Sequence, residues 1–237
     1  MKKICIIIPV YKEQPTQEDK LSLLSVKKNT SNIDVFYVIP EKINISEYLY
    51  LLDGKIKRFS PRYFKNENTY SKLLLTTGFY EEFLEYEYIL IVQTDALLLK
   101  KIDDEFNVFF QYDYVGAAWN PPVIATCISF KGISFLKHFF KPRICYVGNG
   151  GFSLRNVKAC IRMLKKKKIF TLIWNNGEDV FFAYHSMDKR MSFSMAPVDV
   201  CEKFSIEKES APLNAVPYGV HAWKKYDLDV RQYLSFK

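Results

Sequence analysis

The residues best suited to chemistry in this sequence are three acids and one histidine: Asp95, Glu178, Asp179 and His221. Asp95 follows an apolar run at 86–92 and precedes another that begins at 96. A buried carboxylate without a partner is costly, so Asp95 must find hydrogen bonds, bind a cation or face a water-filled cleft. A turn or a helix N-cap would explain the same residue, and both interpretations stay open here.

The acids Glu178 and Asp179 follow Gly177 at the start of an apolar segment that we predict to be helical. The helix dipole favours negative charge at that end, and capping accounts well for one acid. Two adjacent acids near a glycine-rich loop also suit a general base with a neighbour that orients the substrate.

A glycine-rich segment precedes these acids, and His221 follows them near the C-terminus. Gly148, Gly150 and Gly151 surround Asn149, which indicates a backbone that is approached closely or needs positive φ. The spacing lacks the last glycine of a dinucleotide fingerprint, so a Rossmann cofactor site is not predicted. His221 lies between small and aromatic residues, a context that favours metal binding, with a structural histidine as the alternative.

Composition and length predict one globular domain over residues 1–237. Hydrophobic residues make up 49% of the chain, and we find no repeat and no linker. Five scattered cysteines without a C-x-x-C pair suggest neither a disulfide framework nor a zinc site. No apolar run approaches the ~20 residues that span a bilayer.

The net charge of +8 includes a run of basic residues at 162–168, R-M-L-K-K-K-K. Lysines at the end of a helix suit the negative pole of its dipole and can simply be solvated. The alternative is attraction to an anionic membrane surface or polyanionic acceptor, at about 1 kcal/mol for each basic side chain. No nucleic-acid-binding motif accompanies the charge, so nucleic acid is not a predicted partner.

Apolar strand-like runs alternate with helical periods. We predict strands at 2–10, 34–40, 55–60 and 88–95, and helices at 19–30, 45–54 and 69–86, the last bent or broken at Gly78. Asn156 is predicted to cap a later helix. Such alternation favours a mostly parallel sheet flanked by helices. Ligands bind beyond the carboxyl ends of such strands, where Pro9, Tyr11 and Asp95 are expected.

Four motifs, taken in order, resemble those of nucleotide-sugar glycosyltransferases with the GT-A (Rossmann-like) fold. They are Q-T-D-A at 93–96, G-N-G-G-F-S-L-R at 148–155, N-G-E-D at 176–179 and P-Y-G-V-H-A-W at 217–223. More closely, they resemble uncharacterised bacterial and viral glycosyltransferase-like domains with Q-T-D-A in place of D-x-D. The opening I-I-I-P-V-Y-K-E is similar to the first strand of many GT-A enzymes, and the resemblance covers residues 4–225.

The resemblance implies a hexosyltransferase-like enzyme that moves a sugar from a nucleotide-diphosphate donor to a hydroxyl of a glycan or lipid-linked acceptor. The resemblance also implies inversion of configuration at the anomeric carbon and assistance from a divalent cation, Mn²⁺ or Mg²⁺. The implied setting is cytoplasmic synthesis of surface polysaccharide or lipooligosaccharide, with peripheral contact at the inner face of the membrane. Two alternatives stay open. A sugar-phosphate nucleotidyltransferase would need a glycine-rich phosphate loop, which P-V-Y-K-E-Q-P-T-Q lacks, and a non-catalytic nucleotide- or glycan-binding module is compatible with Gln93.

By the same resemblance, Asp95 takes the place of the last acid of D-x-D and holds the metal with His221. Gln93 replaces the first acid, and its carboxamide can bind a ribose hydroxyl or a metal-bound water. The expected donor-binding residues are Pro9, Tyr11, Lys72, Gln93, Thr94 and Asp95.

The resemblance also implies that Asp179 is the catalytic base and that Glu178 contacts acceptor or sugar hydroxyls, with the reverse assignment as the alternative. Trp119 either stacks on the apolar face of a sugar or is an ordinary core or loop aromatic. The expected acceptor and sugar contacts are Trp119, Asn149, Gly150, Gly151 and Glu178.

Overall fold

The computed structural model describes residues 2–126, 142–207 and 216–225. The strands in these ranges are β1 (Lys2–Pro9), β2 (Asp34–Pro40), β3 (Lys55–Phe59), β4 (Tyr86–Val92), β5 (Ala96–Leu98), β6 (Tyr114–Val115), β7 (Ala118–Ala125), β8 (Arg143–Val147), β9 (Phe152–Asn156), β10 (Ser205–Ile206) and β11 (Gly219–His221). The α-helices are α1 (Gln17–Asn29), α2 (Ser46–Leu51), α3 (Glu67–Leu74), α4 (Thr77–Glu81), α5 (Val157–Lys166), α6 (Lys168–Ile173), α7 (Glu178–Ser186) and α8 (Val198–Phe204). Short 3-10 helices lie at Pro61–Phe64, Asp104–Gln111 and Lys189–Met191.

A six-stranded sheet with the order β3-β2-β1-β4-β9-β6 forms the centre of the molecule. The first four strands of this order are mutually parallel, and β9 runs antiparallel to both β4 and β6. Helices cover both faces. The predicted α/β architecture, a mostly parallel sheet flanked by helices, is confirmed.

The core lies on both sides of this sheet because successive side chains of a strand point to opposite faces. Cys5 and Ile7 of β1 pack in one buried cluster with α3, α4, α5 and α7. Ile6 and Ile8 pack in the other cluster with α1, α8 and the 3-10 helix at 104–111. Burial on both faces explains why β1 and β4 read as nearly continuous apolar runs.

The helix ends follow local sequence signals in most places. Thr16 caps α1 by accepting a hydrogen bond from Asp19 N, while Asp19 Oδ2 accepts one from Thr16 N. Asn156 caps α5 as predicted, since its Oδ1 accepts a hydrogen bond from Ala159 N at 2.9 Å. The predicted helix after Gly177 is also present, as α7.

The prediction for 69–86 is wrong in two respects: the break does not fall at Gly78, and the second helix ends at Glu81, before β4 begins at Tyr86. The segment divides into α3 and α4 because Thr76 has extended backbone and its hydroxyl caps the second helix. Gly78 lies inside α4, and a Cβ there would meet no atom within 4 Å. Nothing in the packing therefore requires glycine at this position.

Two small sheets complete the architecture and were not predicted. β11 pairs in parallel with β10 and antiparallel with β5, which sets His221 opposite Ala96. β7 and β8 form an antiparallel pair. The first of these sheets brings the C-terminal histidine beside Asp95.

None of the helices in the described ranges combines the length and the hydrophobicity needed to cross a bilayer. The described cysteines are buried free thiols, and Cys127 lies outside the described ranges.

Candidate active site

A cleft of about 680 Å³ lies at the edge of the central sheet where β1 and β4 end. This volume is in the range of small-molecule sites. Five of the predicted donor-binding residues line it, together with the segment that enters α3. The lining residues are Pro9, Tyr11, Lys12, Thr16, Glu18, Asp19, Phe64, Lys65, Asn66, Glu67, Asn68, Tyr70, Gln93, Thr94 and Asp95.

Lys72 is the exception among the predicted donor contacts. It is exposed on α3 and does not line the cleft. Tyr70, two residues earlier, lines the cleft instead because helical positions two apart point about 200° from each other. The Tyr70 hydroxyl is buried and has no hydrogen-bond partner in the described part of the chain.

His221 joins Gln93 and Asp95 at the end of β4. Its Nε2 lies 3.2 Å from Gln93 Oε1 and 3.4 Å from Asp95 Oδ1, and its Nδ1 lies 3.3 Å from Glu207 Oε1. The pairing of β11 with β5 holds this arrangement, and Ala222 N donates a hydrogen bond to Asp95 O. The predicted proximity of Asp95 and His221 is therefore present in the structure.

The charges of this cluster depend on each other. Burial alone would lower the pKa of His221, but hydrogen bonds and charge from Asp95 and Glu207 outweigh it and raise the pKa to about 9. Partial desolvation acts to raise the pKa of Asp95, and the hydrogen bond and charge of His221 lower it below its ordinary value. Without a ligand, Asp95 and His221 thus form an ion pair at neutral pH.

The donor atoms of this cluster fit a hard divalent cation. Neighbouring ligands of an octahedral ion with bonds of about 2.1 Å lie about 3 Å apart, close to the spacing of Asp95 Oδ1, Gln93 Oε1 and His221 Nε2. Glu207 behind Nδ1 is the kind of partner that fixes the orientation of a ligating histidine. The described residues contain no group of three His, Cys, Asp or Glu side chains suited to a metal. Gln93, substrate phosphate and water would have to supply the other ligands, and His221 would have to lose its proton.

The glycine-rich segment lies against this cluster. A Cβ at Gly151 would be 2.1 Å from His221 Nε2, so the imidazole occupies the space of a side chain. Gly148 has a φ of +152°, which side chains rarely adopt, and the ring of Trp119 packs over it. Asn149, an expected sugar contact, is buried, and its Oδ1 accepts a hydrogen bond from Gly151 N. Asn149 therefore shapes the loop.

Glu178 is held in a buried ion pair that was not predicted. Its Oε1 accepts a hydrogen bond from Arg155 Nη2 at 2.8 Å, and its Oε2 accepts one from Ser71 Oγ at 2.7 Å. Arg155 is fully buried and also donates to Tyr80 OH and Ser153 Oγ. Glu178 was expected to contact acceptor or sugar hydroxyls. In the structure, both of its carboxylate oxygens instead accept hydrogen bonds from protein side chains.

Asp179 has the environment of a general base. Burial raises its pKa to about 7, and the neighbouring charge of Glu178 adds to the effect. A carboxyl group that titrates near neutral pH is suited to proton transfer. Its Cβ is 3.5 Å from the position a Gly150 side chain would take. Asp179 Cβ lies beside Gly150, and His221 Nε2 lies beside the next residue, Gly151. Because adjacent Cα atoms are about 3.8 Å apart, these two atoms are separated by at most about 12 Å.

A second cavity, of about 620 Å³, lies beside Trp119. It is lined by Ala118, Trp119, Asn120, Pro121, Pro122, Val123, Tyr146, Val198, Glu202, Ser205, Ile206 and Glu207. We call it the Trp119 cavity. Glu207 lines it and also contacts His221, whose other nitrogen faces Asp95 in the first cleft. These three side chains connect the two cavities, whereas Asp179 lines neither.

Sequence reasoning missed several residues of the site, chiefly Ser71, Arg155 and Glu207. Arg155 ends the G-N-G-G-F-S-L-R segment. A single arginine in a strand-like apolar run is the feature of the sequence that could have indicated its burial. Glu207 lies between Ile206 and a lysine-containing segment and carries no comparable signal.

The fold is shared with glycosyltransferases of known structure. The crystal structure of mouse xyloside xylosyltransferase 1, apo form, matches with a TM-score of 0.59 and 10% identity over 94% of this chain and 99% of that chain. The apo structure of the bifunctional glycosyltransferase WbbM matches with a TM-score of 0.52 and 8% identity over 93% of this chain. The match spans 45% of the WbbM chain. At such identities the likeness establishes the fold alone.

No curated protein matches the sequence. One protein family does, and its sequence pattern extends over residues 53–221, which include Asp95, the glycine-rich segment, Asp179 and His221. That match covers well over half of the chain. The chain therefore belongs to the family described as "Protein of unknown function (DUF5672)".

Proposed function

We propose that this chain is a glycosyltransferase with a single GT-A-like domain over residues 1–237. It transfers a sugar, of the hexosyl type, from a nucleotide-diphosphate donor to a hydroxyl of a glycan or lipid-linked acceptor. The observation that carries the proposal is the contact series Glu207–His221–Asp95, which connects two cavities of substrate size. A transferase needs two adjoining sites for two substrates.

The cleft at the ends of β1 and β4 is the proposed donor site. Pro9 and the exposed ring of Tyr11 suit contact with the nucleobase, and the buried hydroxyl of Tyr70, which no described residue hydrogen-bonds, suits a polar group of the nucleoside. Lys12 and Lys65 also line the cleft and suit the anionic diphosphate. Gln93 and Thr94 lie where the diphosphate would approach Asp95.

Asp95 and His221, with Gln93, are the proposed ligands of Mn²⁺ or Mg²⁺. When bound, such a cation offsets the negative charge that develops on the leaving diphosphate. The contribution of the protein is orientation: Glu207 fixes the His221 ring from behind, and Gly151 leaves room for that ring.

Asp179 is the proposed base, and because it lines neither cavity, the acceptor hydroxyl would have to extend along the glycine-rich segment to reach it beside Gly150. Asp179 accepts the proton of the acceptor hydroxyl while the hydroxyl oxygen forms a bond to the anomeric carbon. The bond between that carbon and the diphosphate oxygen breaks, and its electron pair leaves with the diphosphate. Attack on the face opposite the diphosphate inverts the anomeric centre. Glu178, held by Arg155 and Ser71, is proposed to keep the Asp179 carboxyl group basic through its nearby charge.

We further propose that the protein works in the cytoplasm, at the inner face of the membrane, in the synthesis of surface polysaccharide or lipooligosaccharide. Ile169 and Leu172 project from α6 with 74% and 80% of their surfaces exposed. The same stretch of chain carries exposed basic residues on α5 and at the start of α6: Arg162, Lys165, Lys166 and Lys168. Exposed apolar side chains together with nearby basic residues in the sequence suit an anionic lipid surface.

A screen of nucleotide-sugar hydrolysis with Mn²⁺ tests the proposal. We expect one donor to release its nucleoside diphosphate and the Asp179→Asn variant to release at least 100-fold less. A nucleotidyltransferase would instead release pyrophosphate from a nucleoside triphosphate and a sugar phosphate. Nucleotide binding without turnover, with acceptors supplied, would indicate a binding module and contradict the proposal.

A further inference from the structure

The Trp119 cavity combines aromatic surfaces with a few polar groups. Trp119 of β7 lies over Gly148, and Tyr146 of β8 lines the same cavity with 54% of its surface exposed. An aromatic face is negative and attracts the weakly positive C–H groups on the apolar face of a sugar ring. Two such side chains on paired strands suit the apolar face of a saccharide ring.

The polar groups of the cavity are Glu202, Ser205 and Glu207. The Ser205 side chain is buried, and its hydroxyl has no hydrogen-bond partner within the described ranges. A buried hydroxyl without a partner is rare in folded proteins, so this group points to a ligand or water that satisfies it. Glu202 is exposed and has no ion-pair partner among residues 2–126, 142–207 and 216–225. Carboxylates accept hydrogen bonds from sugar hydroxyls and from ammonium groups.

The charge of the cavity is opposite to that of the whole chain. The chain carries a net charge of +8, yet the described residues that line the cavity include two glutamates and no lysine or arginine. An anionic group entering here would face the carboxylate of Glu202, and the described lining residues offer it no lysine or arginine; the charge of Glu207 is already offset by His221 on its other side. The cavity also adjoins the donor site, because Glu207 contacts His221.

From these observations we propose that the Trp119 cavity is the acceptor site and that it selects neutral or amino-bearing saccharides over carboxylated, sulfated or phosphorylated ones. The inference rests on the proposed transferase function. Trp119 and Tyr146 hold the ring, Ser205 binds a hydroxyl, and the exposed carboxylate of Glu202 provides the charge selection.

The test is binding of the full chain to an array of neutral, amino-bearing, carboxylated, sulfated and phosphorylated oligosaccharides. We expect binding only to neutral or amino-bearing glycans, with Tyr146→Ala at least 10-fold weaker. Glu202→Lys should weaken binding of amino-bearing glycans at least 10-fold and permit acidic ones. Glu47→Lys is the matched control, because Glu47 is exposed on α2 and lines neither cavity.

Three outcomes would overturn the inference: binding of acidic glycans by the parent protein, no glycan binding, or an equal effect of Glu47→Lys and Glu202→Lys. Calorimetry with UDP, GDP and dTDP, and donor hydrolysis with Mn²⁺, separate this inference from the transferase proposal. Donor turnover together with acidic-glycan binding would contradict the inference alone. Selective binding of neutral glycans without nucleotide binding or turnover would contradict the transferase proposal and leave a saccharide site.

Discussion

Arg155 and Glu178 form an ion pair beneath the glycine-rich segment, with 2.8 Å between Arg155 Nη2 and Glu178 Oε1. The arginine is fully buried and the glutamate nearly so. Removing one partner of such a pair leaves an uncompensated buried charge. The pair thus supports the fold and also places a negative charge beside Asp179.

We predict that Arg155→Met lowers the free energy of unfolding by about 3–5 kcal/mol. The double variant Arg155→Met/Glu178→Gln should lose less than the sum of the two single variants, because neither charge is then left alone. Urea denaturation measures all three. Lys57→Met is the control; it breaks a surface pair with Glu82 and should cost no more than about 1 kcal/mol. If the double variant lost as much free energy of unfolding as the two single variants together, the prediction would be contradicted.

The rate of transfer should depend on the protonation of Asp179. Burial and the charge of Glu178 raise the pKa of this carboxyl group to about 7, so it is protonated and inactive as a base at lower pH. We expect kcat to rise about tenfold per pH unit below 7 and to level off above it. Asp179→Asn should remove this dependence along with most of the activity, while nucleotide affinity changes less than twofold. A flat profile between pH 5.5 and 8.5 in the parent protein would be inconsistent with Asp179 as base.

The same pKa shift predicts an effect on stability. The folded protein holds the Asp179 proton up to about pH 7, whereas the unfolded chain releases it near the ordinary value of 3.8. The folded state therefore binds more protons between these values, and its stability falls as pH rises through this window. Asp179→Asn lacks the buried charge and should be more stable than the parent protein by about 1–3 kcal/mol at pH 8, with little difference at pH 4. Urea denaturation at the two pH values measures this, and a variant less stable than the parent at pH 8 would refute it.

Gly151 should be essential for the position of the imidazole. A Cβ at this residue would lie 2.1 Å from His221 Nε2, so Gly151→Ala must displace the ring from Asp95. We expect the Mn²⁺-dependent affinity for nucleotide to fall at least 10-fold while far-UV circular dichroism stays unchanged. Gly78→Ala is the matched control, because a Cβ there meets nothing, and it should leave affinity unchanged and add up to about 1 kcal/mol of stability. Equal affinities in the two variants would contradict this role for Gly151.

The exposed apolar side chains of α6 should mediate membrane contact. The parent protein is expected to sediment with vesicles that contain phosphatidylglycerol, in a salt-dependent manner, and much less with pure phosphatidylcholine vesicles. Ile169→Ser/Leu172→Ser should reduce the bound fraction at least fivefold. Tyr50→Ser, which alters an exposed aromatic on α2, should have no effect. Binding that is indifferent to both lipid charge and the double substitution would rule out this surface.

The sequence predicted the parts of the fold that rest on long periodic runs. β1, β2 and β4 read as strands because their side chains are buried on both faces, and parallel pairing then placed Pro9, Tyr11 and Asp95 at one edge. The start of α5 followed from Asn156, whose side chain accepts the capping hydrogen bond.

The remainder of the site depends on contacts that local patterns do not encode. β5 and β11 have three residues each, too few for a periodic signal, yet their pairing sets His221 beside Asp95. The burial of Arg155 depends on Glu178 and Tyr80, which are distant along the chain. Lys72 and Tyr70 could be assigned to the correct sides of α3 only once the neighbours of that helix were known.

The most direct test of the transferase account is titration calorimetry of the parent protein and Asp95→Ala with UDP, GDP and dTDP, each with and without Mn²⁺. The account predicts that Mn²⁺ strengthens binding of one nucleotide to the parent protein at least 10-fold and that Asp95→Ala loses this gain. If Asp95→Ala binds nucleotide and Mn²⁺ as tightly as the parent protein does, the proposed metal and donor site is wrong.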